Sequence, residues 1–161
     1  MSVLDAMARY LSIRGVDWSG RARSGAPSVT PAEFAAMLAG LPAPCYALAL
    51  AKCLADAGAE RRLLGYLRAE AARLAERWDR RTRNRPDRLD RLDRLAELVR
   101  DDLVSARKSL TAGESARRLG VGKTVWYSTW RGRHADLLRV GQAWEFEVTR
   151  KLRRELYRGE G

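Results

Sequence analysis

Apolar positions recur at helical spacing along most of the chain. Val3, Leu4, Met7, Tyr10 and Leu11 follow the i, i+3, i+4, i+7 pattern and predict a short amphipathic helix over residues 1–12. The pattern stops over 13–28, where Gly15, Gly20, Gly25 and Pro27 mark a loop or arm carrying Arg14, Arg21, Arg23 and Trp18. Thr30-Pro31-Ala32-Glu33 reads as a helix start, with Thr30 as N-cap, Pro31 in the first turn and Glu33 closing a capping box. That helix is expected to end at Gly40, with Pro42 and Pro44 turning the chain. Residues 45–57 are rich in Ala and Leu on every side, as in a buried helix, and Gly58 is expected to end or kink it. Over 59–80 a longer helix carries Leu63, Leu64, Leu67, Ala71, Leu74 and Trp78 on one stripe.

The RTRNRP stretch at 81–86 is a basic break, and no proline follows Pro86. Residues 87–95 read DRLDRLDRL. The triplet is explained by helix chemistry: Asp87, Asp90 and Asp93 suit the positive end of the dipole and have arginine partners three or four residues away. Leu89, Leu92, Leu95, Leu98 or Val99, and Leu103 supply the stripe that faces the core. A last helix over 135–157 lines Leu137, Val140, Trp144, Val148, Leu152 and Leu156 along one face, with basic residues crowding its final turns. Its period, nearer 3.6 than 3.5, favours packing onto the body over a zipper. Alternating strand patterns and Asn-Gly or Asp-Gly turns are missing, so the expected fold is all-α.

Charge narrows the choice of partner. The 161 residues hold 31 Lys and Arg against 20 Asp and Glu, a net +11 with a pI near 10.6. Only Lys52, Lys108, Lys123 and Lys151 are lysines. The first 80 residues carry 11 basic and 8 acidic side chains, the remainder 20 and 12, so the excess lies in the second half. Clustered arginine in a basic chain points to a polyanion, most often nucleic acid. No apolar run nears the roughly 18 residues of a membrane span, and the best, 46–54, is broken by Lys52. Asp5 and the lack of a basic leader give the expectation of no signal peptide and an intracellular, cytoplasmic, nucleoid-associated protein.

The informative segment is 111–133, TAGESARRLGVGKTVWYSTWRGR. It fits a helix-turn-helix position by position. Ala116 is small where a second helix crosses, and Leu119 is a core contact. Gly120 takes the turn that needs positive φ, Val121 plugs the gap, and Trp126 anchors the second helix. With that helix in a major groove, Lys123, Thr124, Tyr127, Ser128 and Arg131 face the bases. Lys108, Arg117, Arg118 and Arg133 fit phosphate contacts. The expected architecture is therefore a multi-helix all-α chain with a helix-turn-helix and a long C-terminal helix. Its parts are an N-terminal helix and arm (1–28), a helical region (29–85) and a DNA-binding region (86–161).

Other chemistry is weaker. Gly120-Val-Gly-Lys-Thr124 imitates the end of a phosphate-binding loop, but Arg117 stands where its first glycine belongs and a helix, not a strand, precedes it. Cys45, Cys53 and the lone His134 fall one ligand short of a structural zinc site, so the cysteines read as buried thiols and no metal or cofactor is expected. His134 reads as a phosphate contact or an exposed ring. No catalytic set stands out, and the expectation is a non-enzyme.

Residues 103–156 resemble bacterial and phage regulators of the LGVGKTVWY type, with their Ala-x-x-Leu-Gly-Val turn. The wider layout is similar to Q-type transcription antiterminators of phage and prophage-like lysis loci, AlpA-like proteins included, which are all-helical and carry a late helix-turn-helix among basic helices. The resemblance covers about a third of the chain by motif. It implies binding to double-stranded DNA near a promoter and contact with bacterial RNA polymerase and sigma factor, with loading at the RNA exit channel. The arm at 14–23 and the basic tail would then engage polymerase or nascent RNA. Some of those proteins carry a zinc finger, whose ligands this chain lacks. A dimeric repressor, a phage packaging or recombination accessory protein and a phage-encoded protein inhibitor are the alternatives.

Overall fold

Thr30 starts the first helix as the capping box requires: its hydroxyl accepts the Glu33 N–H at 3.1 Å, and its own N–H donates to Glu33 Oε2 at 2.7 Å. The computed structural model describes residues 30–78, 87–105 and 110–158. The expected helix and arm over 1–28, the 81–86 break and Lys108 lie outside the described residues. So does the Leu156 side chain. Helix α1 is Pro31–Met37, α2 Ala43–Leu54, α3 Ala57–Trp78, α4 Asp87–Val104 and α5 Ala112–Leu119. Then α6, Lys123–Val125, runs through a wider π-turn at Trp126–Trp130 into α7, Arg131–Tyr157. Among the described residues there is no strand, and the fold is all-α with a long C-terminal helix.

Helices α2, α3, α4 and α7 all touch one another and enclose one core. Helix α2 buries Cys45, Ala47, Leu48, Ala49, Leu50, Ala51 and Cys53, as a helix apolar on all sides should. Leu63, Leu67 and Ala71 of α3 meet Leu95, Leu98 and Val99 of α4 and Leu137, Val148 and Leu152 of α7 in that cluster. Polar ties join the same elements. Lys52 Nζ of α2 reaches Glu145 Oε1 of α7 at 3.3 Å, and Trp78 Nε1 of α3 donates to Asp136 Oδ2 of α7 at 2.9 Å. Of the DRLDRLDRL acids, Asp90 pairs within α4 as expected, with Arg94 at 3.1 Å. Asp93, and Glu97 just beyond the triplets, pair across helices with Arg68 of α3, at 3.2 and 3.8 Å.

Three expectations need correction. Helix α2 stops at Leu54, not at Gly58, because Ala55 turns left-handed (φ 49°) and Asp56 begins α3 by accepting the Ala59 N–H at 2.6 Å. A strong N-cap two residues after the helix outweighs the roughly 1–2 kcal/mol of a left-handed alanine. Leu89 is 74% exposed, because it sits in the first turn of α4, before the covered stretch begins at Leu92. The last helix does not start at 135: residues 123–157 form one helical rod about 50 Å long. Nothing in 131–135 stops a helix, and a single glycine such as Gly132 costs only about 1 kcal/mol.

One contact in this core admits no extra atom. Gly141 lies where α7 crosses Leu103 of α4, and a Cβ there would overlap Leu103 Cδ1 and sit 2.9 Å from Cδ2. Leu103 is 3% exposed and has little room to yield. Gly141→Ala, although helix-favouring, should destabilise by about 1–3 kcal/mol and lower the melting temperature by roughly 3–10 °C. Circular dichroism melting checks this; an unchanged or raised Tm would show that α7 and α4 can separate without penalty.

Candidate nucleic-acid interface

Local rules build the segment after α4. Thr111 caps α5: its hydroxyl accepts the Glu114 N–H at 3.3 Å, and its own N–H donates to Glu114 Oε2 at 2.8 Å. That backbone N–H, with the Thr111 hydroxyl, holds the Glu114 carboxyl below the usual range. Helix α5 ends in a Schellman motif, Val121 N–H to Ala116 O at 3.0 Å and Gly120 N–H to Arg117 O at 3.1 Å. Gly120 sits at φ 76°, ψ 34°, a conformation that any side chain resists. Gly122 is extended and leads into α6.

Ala116, Leu119 and Trp126 are buried, and Val121 is half-buried against the core. The five residues read as the scaffold of a helix-turn-helix thus occupy the turn and the contact between its helices. Lys123, Thr124, Tyr127, Ser128 and Arg131 are exposed along the start of the rod. The Lys123 stem lies against the first turn of α5, so close that a Cβ on Gly113 would come 2.9 Å from Lys123 Cε. Arg131 stands 5.7 Å from the centre of the Tyr127 ring, and Ser128 Oγ donates to Val125 O at 3.4 Å. A groove of about 340 Å³ opens between Leu110, Ala112 and Ser115 on one side and Trp126, Tyr127, Arg131 and His134 on the other.

The residues read as phosphate contacts fall into different settings. Arg117 is exposed on α5. Arg118 Nη2 meets Asp101 Oδ2 at 2.5 Å, and Arg100 holds the other oxygen at 2.9 Å. Arg133 lies between two indoles, 4.8 Å from the Trp130 ring and 5.6 Å from the Trp78 ring. Such stacking anchors a guanidinium to the body. His134 is not an exposed ring: its Nε2 is 2.7 Å from Asp102 Oδ2, and its ring lies 5.7 Å from that of Trp126.

Sequence reasoning missed Asp101 and Asp102, which end α4 and grip both helices of the turn segment through Arg118 and His134. A signal was present. Two acids at a helix C-terminus oppose its dipole and call for cations from elsewhere in the fold. Arg94 was missed too; it covers the turn, 2.9 Å from where a Gly120 Cβ would stand. Burial pushes the Cys45 thiol up, with Glu147 adding to the shift, so the thiolate is disfavoured. Among the described residues no three His, Cys, Asp or Glu side chains gather as a metal site would need. No helix described is long and apolar enough to cross a membrane.

Set against protein-family models, curated proteins and solved structures, the chain matches none of them. The likeness to Q-type antiterminators therefore rests on the motif and layout alone.

The Asp101 clamp has a pH signature. Burial raises its carboxyl, but hydrogen bonds from Arg118 and Arg100 outweigh that and hold it below the usual range. A lowered folded value contributes stability that is present above the unfolded value, near 4, and is lost as pH falls through the folded one. Arg118→Ala should cost about 0.5–1 kcal/mol at pH 7, with the gap to wild type narrowing steadily below about pH 4. Urea unfolding from pH 7 downward measures it; a gap independent of pH would mean that Arg118 acts through packing instead.

Proposed function

We propose that this protein is a transcription regulator that binds double-stranded DNA through a helix-turn-helix formed by α5 and the start of the rod. The observation that carries this reading is the Gly120 Schellman turn between a capped short helix and a second helix whose outer residues are Lys123, Thr124, Tyr127, Ser128 and Arg131. In a major groove, Lys123 and Arg131 are the donors for guanine O6 and N7, and Thr124 presents a methyl group to thymine. Tyr127 and Ser128 bond bases or phosphates. Arg117 takes a backbone phosphate. Arg118 and Arg133 reach phosphate only by leaving Asp101 and the indoles, so in this reading they brace the reading head. We treat the Asp102–His134 pair as a strut between α4 and the rod, and the protein as a non-enzyme.

Gel shift with fragments flanking the protein's own gene tests the reading. Replacing Lys123 and Arg131 by Ala should weaken specific binding at least about tenfold, at roughly 1–3 kcal/mol per base-reading pair. The log of the wild-type binding constant should fall steeply with log salt, by about 0.9 per phosphate neutralised. Unchanged binding by the double variant would remove the rod's start from the interface.

The finer proposal, antitermination, stands on the resemblance stated above. It names bacterial RNA polymerase and sigma factor as partners. A purified transcription reaction on a template bearing the bound promoter and a distant terminator should give raised readthrough when the protein is added. Proven promoter binding with no readthrough would turn the reading to a repressor.

A further inference from the structure

The rod continues well past its first turns, and its outer face changes character there. At 100° per residue, Arg139, Phe146, Arg150 and Arg153 fall within an arc of roughly 60°, opposite the buried Leu137, Val148 and Leu152. Phe146 is 66% exposed, the most exposed large apolar side chain among those described on α7. Arg139 and Arg150 are 72% and 51% exposed, and Arg153 and Gln142 also face solvent. No carboxylate projects from this arc: Asp136, Glu145, Glu147 and Glu155 all lie outside it. Asp136 and Glu147 reach in from one edge to Arg139 and Arg150 through exposed i,i+3 pairs. Such pairs are worth little and exchange readily for another anion.

We propose that this face is a second nucleic-acid site that binds a single strand, with Phe146 as the platform for one base and Arg139, Arg150 and Arg153 on the flanking phosphates. The stripe from residue 139 to 153 is about 20 Å long. A surface that only neutralised duplex phosphates would gain nothing from an exposed phenyl ring, because the bases of a duplex are stacked on each other. A single strand offers free base faces, and arginine-flanked aromatics hold such bases with little regard to sequence. A second copy of this face is a poor partner, since like charges would meet. A membrane surface is poor too, since interfacial helices sink a broad apolar face and this one offers a single ring. The proposal does not depend on the helix-turn-helix reading, whose residues lie on the first turns of the rod.

Fluorescence anisotropy with labelled oligothymidine and oligouridine, about a dozen nucleotides each, and a hairpin duplex tests it. Phe146→Ala should weaken binding to the single strands roughly tenfold or more, leave the duplex within about twofold, and keep the wild-type melting curve. Phe146→Trp should bind at least as well as wild type, which separates stacking from a folding defect. Replacing Arg150 and Arg153 by Gln should flatten the salt dependence of log K for single strands by about 1.4, at roughly 0.7 per phosphate. The thymidine and uridine arms show whether DNA or RNA is preferred. Lys123→Ala with Arg131→Ala should leave single-strand binding intact, so failure of the duplex reading would remain visible as a separate result. Phe146→Ala binding single strands as wild type does would overturn the proposal. So would a wild-type protein that ignores both oligonucleotides but self-associates, or binds anionic vesicles, in a Phe146-dependent way.

Discussion

One uninterrupted helix serves two structural tasks, and that constraint orders the rest. The side chains that close the core, Leu137, Val148 and Leu152, lie on the same rod as the exposed residues 123–131. A helix turns by a fixed step per residue, about 100° in the α stretches and less through the π-turn, so burying one stripe decides which side chains point outward along the rest of it. Trp126 and Trp130 carry the buried stripe through the π-turn to the start of the rod. The outer residues of 123–131 are therefore aimed by the core itself, without a hinge between them and it.

The short helix α5 has no such rod to hold it. Its attachment runs through Ala116, Leu119 and the Schellman turn, and through charge at the end of α4. Asp101 and Asp102 stand where a helix dipole disfavours acids, and that local disadvantage is offset by Arg118 from α5 and His134 from α7. Two adjacent carboxylates thus link three helices. Arg133 adds an apolar clasp by lying between Trp78 of α3 and Trp130 of the π-turn.

Much of this was legible in the sequence, because it follows from short-range rules. Thr30 with Glu33, the apolar stripes of α2 to α4, and Gly120 in a left-handed turn each express a constraint that acts within a few residues. The errors share the opposite character. Ala55 turned left-handed because Asp56 makes a better cap than Gly58 makes a stop, a competition that residue preferences alone do not rank. The rod ran on because continuity depends on packing against α2, α3 and α4, which no signal inside 131–135 records. Arg118 and Arg133 read as free cations because Asp101, Trp78 and Trp130 meet them only in the folded chain. Nothing periodic links residue 78 to residue 133.

Those engaged arginines also alter what the formal charge means. A cation loses its hold on outside anions when a carboxylate already neutralises it at close range, or when its plane is covered by indoles. Arg100, Arg118 and Arg133 are in that position, Arg139 and Arg150 of α7 share exposed carboxylates that water and salt screen, and Arg117, Arg131 and Arg153 face solvent. The number of counterions that a polyanion sheds on meeting this protein is governed by the last two groups. The 31 Lys and Arg side chains therefore divide by role: some hold the helices together, and the others stay available to a polyanion that comes into contact.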